Sequence, residues 1–217
     1  MGKINQGILD GFNGKVGTVV GYFWKGKPVM RGYKRFMHDK HSEAQMIVRL
    51  RFAILSELAS AFRPAALVGF KSRSKSRGNT EVNNFMQLNW DAVQAFNTAD
   101  VAIDYAALQL ASGSLPPVQF GSAKFDTPLT VEASFAPGSD LPGASNDDHV
   151  YLFAYNPATK MGVIGKAATR AAGKASVTVP STWSGETVHV WGLVSGGAPD
   201  TIGRSAASTY LGEGDMA

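Results

Sequence analysis

The chain has 217 residues, of which 44% are hydrophobic and 18% charged, a composition typical of a folded globular protein. It contains no cysteine, so disulfides, thiolate zinc sites, iron–sulfur clusters and cysteine nucleophiles are excluded. No segment approaches the ~20 apolar residues of a membrane helix, and residues 1–10 lack the apolar run of a signal peptide. We therefore expect a protein that is made and kept in the cytoplasm, unless it leaves inside an assembly.

The net charge of +4 conceals a strong asymmetry along the chain. Residues 1–90 contain 15 Lys and Arg against 5 Asp and Glu, a net charge of +10. Residues 91–217 contain 6 against 12, a net charge of −6. Such a division indicates two parts with different partners, or head-to-tail attraction between copies. A basic surface that contacts only solvent, and binds no partner, would give the same charge distribution.

Residues 14–36 predict a β-hairpin. Valines at positions 16, 19 and 20 lead to the aromatic run 22–24, and Lys25-Gly26-Lys27 then interrupts the apolar pattern. Aromatic and β-branched residues separated by a glycine are typical of two strands joined by a tight turn. Gly26 is the expected turn residue, because glycine tolerates a positive φ.

The same stretch is close to a phosphate-binding loop but lacks what such a loop needs. Gly26 and Lys27 follow Gly21 at the spacing of a Walker loop. Pro28 stands where that loop has the hydroxyl residue that binds magnesium, and the surrounding pattern predicts a hairpin instead of a helix. A nucleotide site is therefore not expected.

Two helices are predicted between residues 42 and 96. The first begins at Ser42, which forms a capping-box pattern with Gln45, and ends before Pro64. Its apolar face comprises Ile47, Leu50, Ile54, Leu58 and Phe62. The second and weaker helix covers residues 80–96, with apolar positions Val82, Phe85, Met86, Val93 and Phe96. Residues 71–77 alternate bases with serines and have no apolar position, so they predict an exposed, mobile loop.

A linker-like segment at about residues 112–117 precedes seven predicted strands. These cover residues 118–125, 129–135, 149–155, 161–166, 175–179, 187–194 and 205–211. Seven short strands with turn signals between them indicate an antiparallel immunoglobulin-like β-sandwich, with its topology left open. The predicted fold class is therefore α+β. A basic N-terminal domain (residues 1–111, a hairpin and two helices) is followed by an acidic β-sandwich domain (residues 118–217).

The sequence shows no recognisable catalytic or metal-binding pattern. His38 and His41 are close in sequence, but a metal site would need further ligands from elsewhere in the chain. Asp147 and Asp148 precede a predicted strand without the pattern of a calcium-binding EF-hand. We expect no catalytic residue, no cofactor and no metal, and therefore a protein that is not an enzyme.

The basic N-terminal half indicates binding to an acidic partner more clearly than any residue pattern indicates catalysis or metal binding. Lysines and arginines between positions 25 and 35 accompany the aromatic residues between positions 22 and 33. This combination suits phosphate contact together with base stacking, although a strand with one buried aromatic face would look the same. The residues predicted to contact nucleic acid or another acidic partner are Arg31, Lys34, Arg35, Lys71, Arg73, Lys75 and Arg77.

The N-terminal segment also carries a specific glycine pattern. Residues 2–21 read Gly-Lys-Ile-Asn-Gln-Gly-Ile-Leu-Asp-Gly-Phe-Asn-Gly-Lys-Val-Gly-Thr-Val-Val-Gly, which resembles the N-terminal motif of a family of uncharacterised proteins common in Bacteroidota and their phages. Further similar segments are residues 42–45, 103–105, 112–116, 146–157, 168–173, 179–185 and 208–212. The resemblance implies a basic N-terminal part joined to a C-terminal immunoglobulin-like sandwich, and it implies no catalytic residues.

These features together predict a non-enzymatic structural subunit of a phage virion or related assembly, such as a neck, tail, ring or capsid-associated protein. A glycine-rich hairpin with a free edge adds strands to a neighbour's sheet, and the charge asymmetry suits head-to-tail contacts in a ring or tube. The predicted subunit contact comprises Gly14, Val16, Val19, Gly21, Tyr22, Phe23, Trp24 and Gly26. The expected partners are copies of the chain and other structural proteins. A cytoplasmic nucleic-acid-binding protein is the alternative.

Overall fold

The structure is a computed structural model. The structure describes residues 3–4, 11–33, 36, 39–95, 101–127, 129–138, 141–197 and 204–216. Their helices and antiparallel strands define an α+β protein, as the sequence predicts. The chain forms two compact units, residues 1–42 and residues 43–217.

The first unit is an antiparallel four-stranded sheet. Its strands are β1 (Lys3–Ile4), β2 (Phe12–Val16), β3 (Val19–Trp24) and β4 (Lys27–Gly32), paired in that order. Lys25 and Gly26 connect β3 to β4 and have φ angles of 48° and 76°. Positive φ at both central residues is the mark of a type I′ turn, which matches the twist of a hairpin. The predicted hairpin, with Gly26 in its turn, is confirmed.

The second unit begins with four helices, α1 (Glu43–Ala61), α2 (Arg63–Gly69), α3 (Lys71–Arg77) and α4 (Glu81–Leu88). As predicted, α1 starts directly after Ser42 and ends before Pro64. Pro64 lies in the first turn of α2, where its missing N–H costs no hydrogen bond. Leu58 and Phe62 of the predicted apolar face are buried, together with Leu55.

The prediction of an exposed, mobile loop at residues 71–77 is wrong, because this segment is the helix α3. Ser74 is buried, and its hydroxyl accepts a hydrogen bond of 3.1 Å from the side-chain amide of Asn84 on α4. Gly78 ends the helix in a left-handed conformation, with its N–H donating to the Ser74 carbonyl. The contact that buries α3 is polar, so a search for apolar periodicity does not detect it.

The predicted helix over residues 80–96 is shorter than expected. It begins as predicted at Thr80, whose hydroxyl accepts a hydrogen bond from the Asn83 N–H. It ends at residue 88 because the buried side chain of Asn89 bonds to the backbone of Gln109. The Asn89 amide donates to the Gln109 carbonyl and accepts from the Gln109 N–H. This pair of bonds turns the chain away from the helix axis.

The second half of that predicted helix is a strand. β5 (Val93–Ala95) pairs in antiparallel fashion with β6 (Val101–Ile103). Val93 is buried in β5, whereas Phe96 lies outside the described residues. The helical spacing of apolar residues therefore continues by coincidence into a strand.

The remaining strands form a sandwich of two antiparallel sheets. They are β7 (Gln119–Thr127), β8 (Thr130–Ala136), β9 (His149–Asn156), β10 (Met161–Ile164), β11 (Ala168–Thr169), β12 (Lys174–Thr178), β13 (Thr187–Ser195) and β14 (Thr209–Asp215). One sheet has the order β12-β8-β7 and the other β10-β9-β13-β14, with β11 also paired to β9. These orders correspond to strands E-B-A and C′-C-F-G of an immunoglobulin-like Greek key. The predicted sandwich is confirmed, and its last strand begins four residues later than expected.

The strands β9 and β13 are buried on both faces. Leu152 and Val190 lie in the core between the two sheets, whereas Phe153 and Trp191 belong to a second core shared with the helices. The ring centroid of Phe62, between α1 and α2, lies 5.0 Å from that of Phe153 and 5.2 Å from that of Trp191. The helices are therefore packed on the outer face of one sheet of the sandwich.

The two compact units consequently divide at residues 42 and 43 and not at the predicted linker of residues 112–117. This segment is bound within the second unit. The Ser205 hydroxyl contacts the carbonyls of Gly69, at 2.6 Å, and Ser112, at 3.2 Å, and Leu115 is buried. Glycine and proline identify a loop in the sequence, but burial and hydrogen bonding decide whether that loop separates two domains.

Candidate interaction faces of the N-terminal sheet

The register of β2, β3 and β4 divides the side chains of the first unit between two faces. Paired residues share a face, and neighbours along a strand lie on opposite faces. Gly14, Gly21 and Met30 are paired across the three strands, and Lys15, Val20 and Arg31 form the adjacent row. The two rows belong to opposite faces, one apolar and the other basic.

The apolar face has no charged side chain among the described strand residues from 12 to 32. Val16, Phe23 and Met30 are 48%, 47% and 69% exposed. A cluster of exposed large apolar side chains on one face is typical of an interaction surface. We use the term apolar face for six residues: Phe12, Val16, Val19, Phe23, Pro28 and Met30.

The glycine at position 21 is required by the neighbouring ring of Phe12. A Cβ at Gly21 would overlap the Phe12 carbonyl oxygen and lie 2.8 Å from two carbons of its ring. Gly11 is packed in a similar way against Pro28 and the ring of Phe23. Cross-strand aromatic rings that cover strand glycines help to hold the register of a sheet. The two glycines therefore leave room for the rings of Phe12 and Phe23 to pack on the apolar face.

The opposite face carries three cations and three aromatic rings. The cations are exposed, and the rings are between 39% and 47% exposed. The Nζ atom of Lys15 lies 3.8 Å from the centroid of the Tyr33 ring, within the range of a cation–π interaction. The Tyr33 N–H donates to the Thr18 carbonyl at 2.7 Å, which extends the pairing beyond β4. We use the term cationic–aromatic face for Lys15, Tyr22, Trp24, Lys27, Arg31 and Tyr33.

The residues predicted for the subunit contact do not lie on one surface of the sheet. Tyr22 and Trp24 lie on the cationic–aromatic face, and Gly26 lies in the turn. The sequence interpretation treats residues 22–24 as one surface, whereas strand alternation places Phe23 on the opposite side from its neighbours. The predicted residues that lie on the apolar side of the sheet are Gly14, Val16, Val19, Gly21 and Phe23.

Six members of the two faces are missing from the predicted contact residues: Phe12, Lys15, Lys27, Pro28, Met30 and Tyr33. The signal that finds them is the two-residue alternation of side chains, counted outward from the turn at Lys25 and Gly26. Assigning residues to faces in this way requires the strand register of both hairpins. A glycine-rich sequence specifies that register only weakly.

The residues predicted to contact nucleic acid are distributed over both units. Arg31 lies on the cationic–aromatic face, and Lys34 and Arg35 lie outside the described residues. The remaining four, Lys71, Arg73, Lys75 and Arg77, belong to α3 in the second unit. Lys71 and Lys75 are exposed there and Arg73 is half-buried.

The second unit contains a cavity of about 260 Å³ lined by residues of α1, β6 and β9. Glu57 and Lys160 lie among its lining residues and form an exposed ion pair at 2.8 Å. Burial raises the pKa of Tyr155 to about 12, and the nearby Tyr105 and Glu57 add to this rise. The Tyr155 phenol is therefore neutral at physiological pH and suits hydrogen bonding more than acid–base chemistry.

A histidine is buried beside this cavity. The Nδ1 atom of His189 lies 2.9 Å from the Tyr210 hydroxyl and 3.2 Å from a carboxylate oxygen of Glu213. The Tyr105 ring stacks on the imidazole with a centroid distance of 4.0 Å. Burial lowers the pKa of His189, and the Glu213 carboxylate partly opposes this effect. The arrangement therefore favours a neutral imidazole.

The described residues contain neither a metal-binding cluster nor a single membrane-spanning helix. Among the residues that the structure describes, no group of three or more His, Asp or Glu side chains is placed to hold a metal ion. Within the same part of the chain, no single helix has the length and apolar composition to cross a membrane. The α1 and α2 helices meet that criterion only when taken together, and a bend of 76° separates them.

The architecture is thus an α+β one, with a two-faced N-terminal sheet and an immunoglobulin-like sandwich that carries helices on one outer face. The chain belongs to the family of unknown function DUF6266, whose sequence profile matches residues 11–212. The match includes β2 to β4, the helices and most of the sandwich. No curated protein and no solved structure matches the chain.

Proposed function

We propose that this protein is a non-enzymatic structural subunit of a phage virion or related assembly, and that its apolar face docks on a second copy of the chain. The observation that carries the proposal is the uncharged surface around Val16, Phe23 and Met30. Covering exposed apolar surface is favourable by ~25 cal/mol per Å². The resemblance of residues 2–21 to a family common in Bacteroidota and their phages favours a neck, tail, ring or capsid-associated position.

Charge favours a head-to-tail contact over the pairing of two N-terminal sheets. Residues 1–42 contain eight Lys and Arg against two Asp, so two such units in contact would repel each other. Residues 91–217 carry a net charge of −6, including the exposed acids Glu213 and Asp215 on β14. We therefore assign the docking surface to this acidic part of the next copy. Contacts between unlike surfaces repeat from copy to copy and close into a ring or grow into a tube.

The proposed contact uses the face of the N-terminal sheet and not its edge. The outer strand β4 begins with Lys27 and Pro28, two residue types that discourage the addition of another strand. Burial of Phe23 and Met30 requires a partner above the sheet, because both side chains project from its face. This proposal replaces the expectation that the hairpin adds a strand to a neighbouring sheet.

Sedimentation velocity over a range of protein concentrations tests the proposal. We expect the wild-type chain to form concentration-dependent larger species that become smaller as NaCl is raised, because salt screens the charge attraction. Phe23→Glu should shift the protein to the monomer. Phe52→Glu is the matched control, since Phe52 is also an exposed phenylalanine (55%) but lies on α1. A wild-type chain that is monomeric at every concentration, with no ring or tube in negative-stain micrographs, would contradict the proposal.

The position in a virion has a separate test. We expect the gene to be accompanied by genes for portal, terminase or capsid proteins. Self-assembly in solution without such neighbours would support the docking contact and contradict the phage role.

A further inference from the structure

We propose that the cationic–aromatic face binds single-stranded nucleic acid, with bases stacked on its rings and phosphates neutralised by its cations. This inference goes beyond the assembly contact, because it uses the opposite side of the sheet. Proteins that hold single strands without strong sequence preference combine a positive track with exposed aromatic side chains. The face presents both elements on one side of a single sheet.

The rings and cations follow one another across the sheet. Trp24 is paired with Lys27, and Tyr22 lies two residues earlier in β3. Two residues of a strand correspond to a rise of about 6.7 Å, so the two rings occupy successive positions along one line. Arg31 and Lys15 flank Val20 in the next row, and Tyr33 follows beyond Arg31. An extended strand of nucleotides that lies along β3 therefore meets the rings of Trp24 and Tyr22 in succession, with Lys27 beside the first ring and Arg31 and Lys15 in the row beyond the second.

The electrostatic environment of the face favours a polyanion. Residues 11–33 contain four Lys and Arg and no Asp or Glu. The contact of Lys15 with the Tyr33 ring places a cation at the edge of an aromatic surface. An anionic ligand therefore meets no acidic side chain from this segment.

The three rings distinguish a single strand from other polyanions. The bases of a duplex are paired and stacked on each other, so a flat sheet face cannot stack on them. An acidic peptide would be attracted by the cations but has no base faces to cover the rings. Aromatic stacking contributes to binding only when unpaired bases are present. The observed combination therefore favours single-stranded nucleic acid over duplex DNA and over an acidic protein segment.

The test is fluorescence anisotropy with a labelled oligothymidylate of 20 nucleotides at low salt. We expect Trp24→Ala to weaken binding about 5- to 150-fold, the range reported for loss of one stacked base. Phe52→Ala is the matched control, because Phe52 is also an exposed aromatic residue (55%) but lies on α1, outside the N-terminal sheet. Phe52→Ala should leave binding unchanged. Trp24→Phe should retain most of the affinity, which separates loss of the ring from loss of folding.

Salt dependence and competition complete the test. We expect the three cations to neutralise about three phosphates. A plot of the logarithm of the binding constant against the logarithm of the salt concentration should then have a slope of roughly −2. Lys27→Gln and Arg31→Gln should each make this slope shallower by about 0.7. Duplex DNA and polyglutamate should compete weakly. The proposal is overturned if the oligonucleotide does not bind at low salt, or if polyglutamate competes equally and Trp24→Ala has no effect.

The binding and assembly proposals fail independently of each other. Phe23→Glu should abolish assembly without removing the rings and cations that bind the oligonucleotide. Trp24→Ala should reduce binding and leave sedimentation unchanged. Loss of both properties in Trp24→Ala, with an unchanged far-ultraviolet circular dichroism spectrum, would show that the two faces do not act separately.

Discussion

The Nε atom of Arg170 lies 3.3 Å from a carboxylate oxygen of Asp148, and both side chains are fully buried. The Arg170 guanidinium also donates to the carbonyls of Pro137 and Pro116 at 2.9 Å and 2.7 Å. One side chain thus connects the loop before β9, the end of β8 and the segment that enters the sandwich. This explains why residues 112–117 belong to the second unit.

Asp148→Asn should lower the free energy of unfolding by about 3–5 kcal/mol, because it leaves the buried Arg170 charge without its counter-charge. Urea denaturation followed by the fluorescence of the buried Trp183 and Trp191 measures this change. Glu57→Gln is the control, since it breaks an exposed pair with Lys160 and should cost no more than about 1 kcal/mol. Equal effects of the two substitutions would contradict the role assigned to the buried pair.

Gly21→Ala should destabilise the N-terminal sheet by about 1–3 kcal/mol, because the added Cβ would collide with the backbone and ring of Phe12. Gly32→Ala in the same sheet should change its stability by less than about 0.5 kcal/mol, since a Cβ there meets nothing within 4 Å. Amide hydrogen exchange of residues 12–33 reports the stability of this unit separately from the sandwich. Similar exchange rates in the two variants would show that the Phe12 contact does not constrain position 21.

Gly78→Ala should destabilise the second unit by about 1 kcal/mol, because position 78 has a left-handed φ of 69°. A Cβ at this position meets no atom within 4 Å, so the cost is conformational and not steric. Gly78→Asn should cost less, since asparagine tolerates this conformation better. Thermal denaturation compares the two variants. A more damaging asparagine would contradict the assigned end of α3.

The second unit should lose stability as the pH falls below about 6.5, the ordinary pKa of histidine. Burial lowers the pKa of His189 in the folded chain, although Glu213 opposes this shift. Between the folded and unfolded pKa values the unfolded state binds more protons, so the free energy of unfolding rises with pH. The slope contributed by His189 is at most about 1.4 kcal/mol per pH unit within that window.

Urea denaturation at pH 7.5 and pH 5.5 measures this dependence, and His189→Gln should reduce it. Titration of the His189 imidazole by NMR gives an independent result. A midpoint above 6.5 in the folded protein would show that attraction to Glu213 outweighs burial and would reverse the predicted sign.

The sequence predicts correctly those helices, strands and turns that depend on interactions between residues close together in the chain. The hairpin turn at Gly26, the start of α1 after Ser42 and the alternating strands of the sandwich are of this kind. Each depends on backbone preference or on hydrophobic periodicity, which neighbouring residues encode. The helix α3 was not predicted, because its buried contact joins Ser74 to Asn84 and leaves no apolar pattern.

Residue types and their order are enough to exclude cysteine chemistry, to locate the positive charge in residues 1–90, and to predict the α+β class and the approximate position of most strands. The folded chain was needed to find that the helices share a core with Phe153 and Trp191, and that Phe23 and Trp24 belong to opposite faces of one sheet. The two kinds of information differ in how far apart along the chain the interacting residues are. Turn and strand preferences arise between neighbours, whereas burial depends on which remote surfaces meet, and a shift of one residue in register exchanges the two faces of a strand.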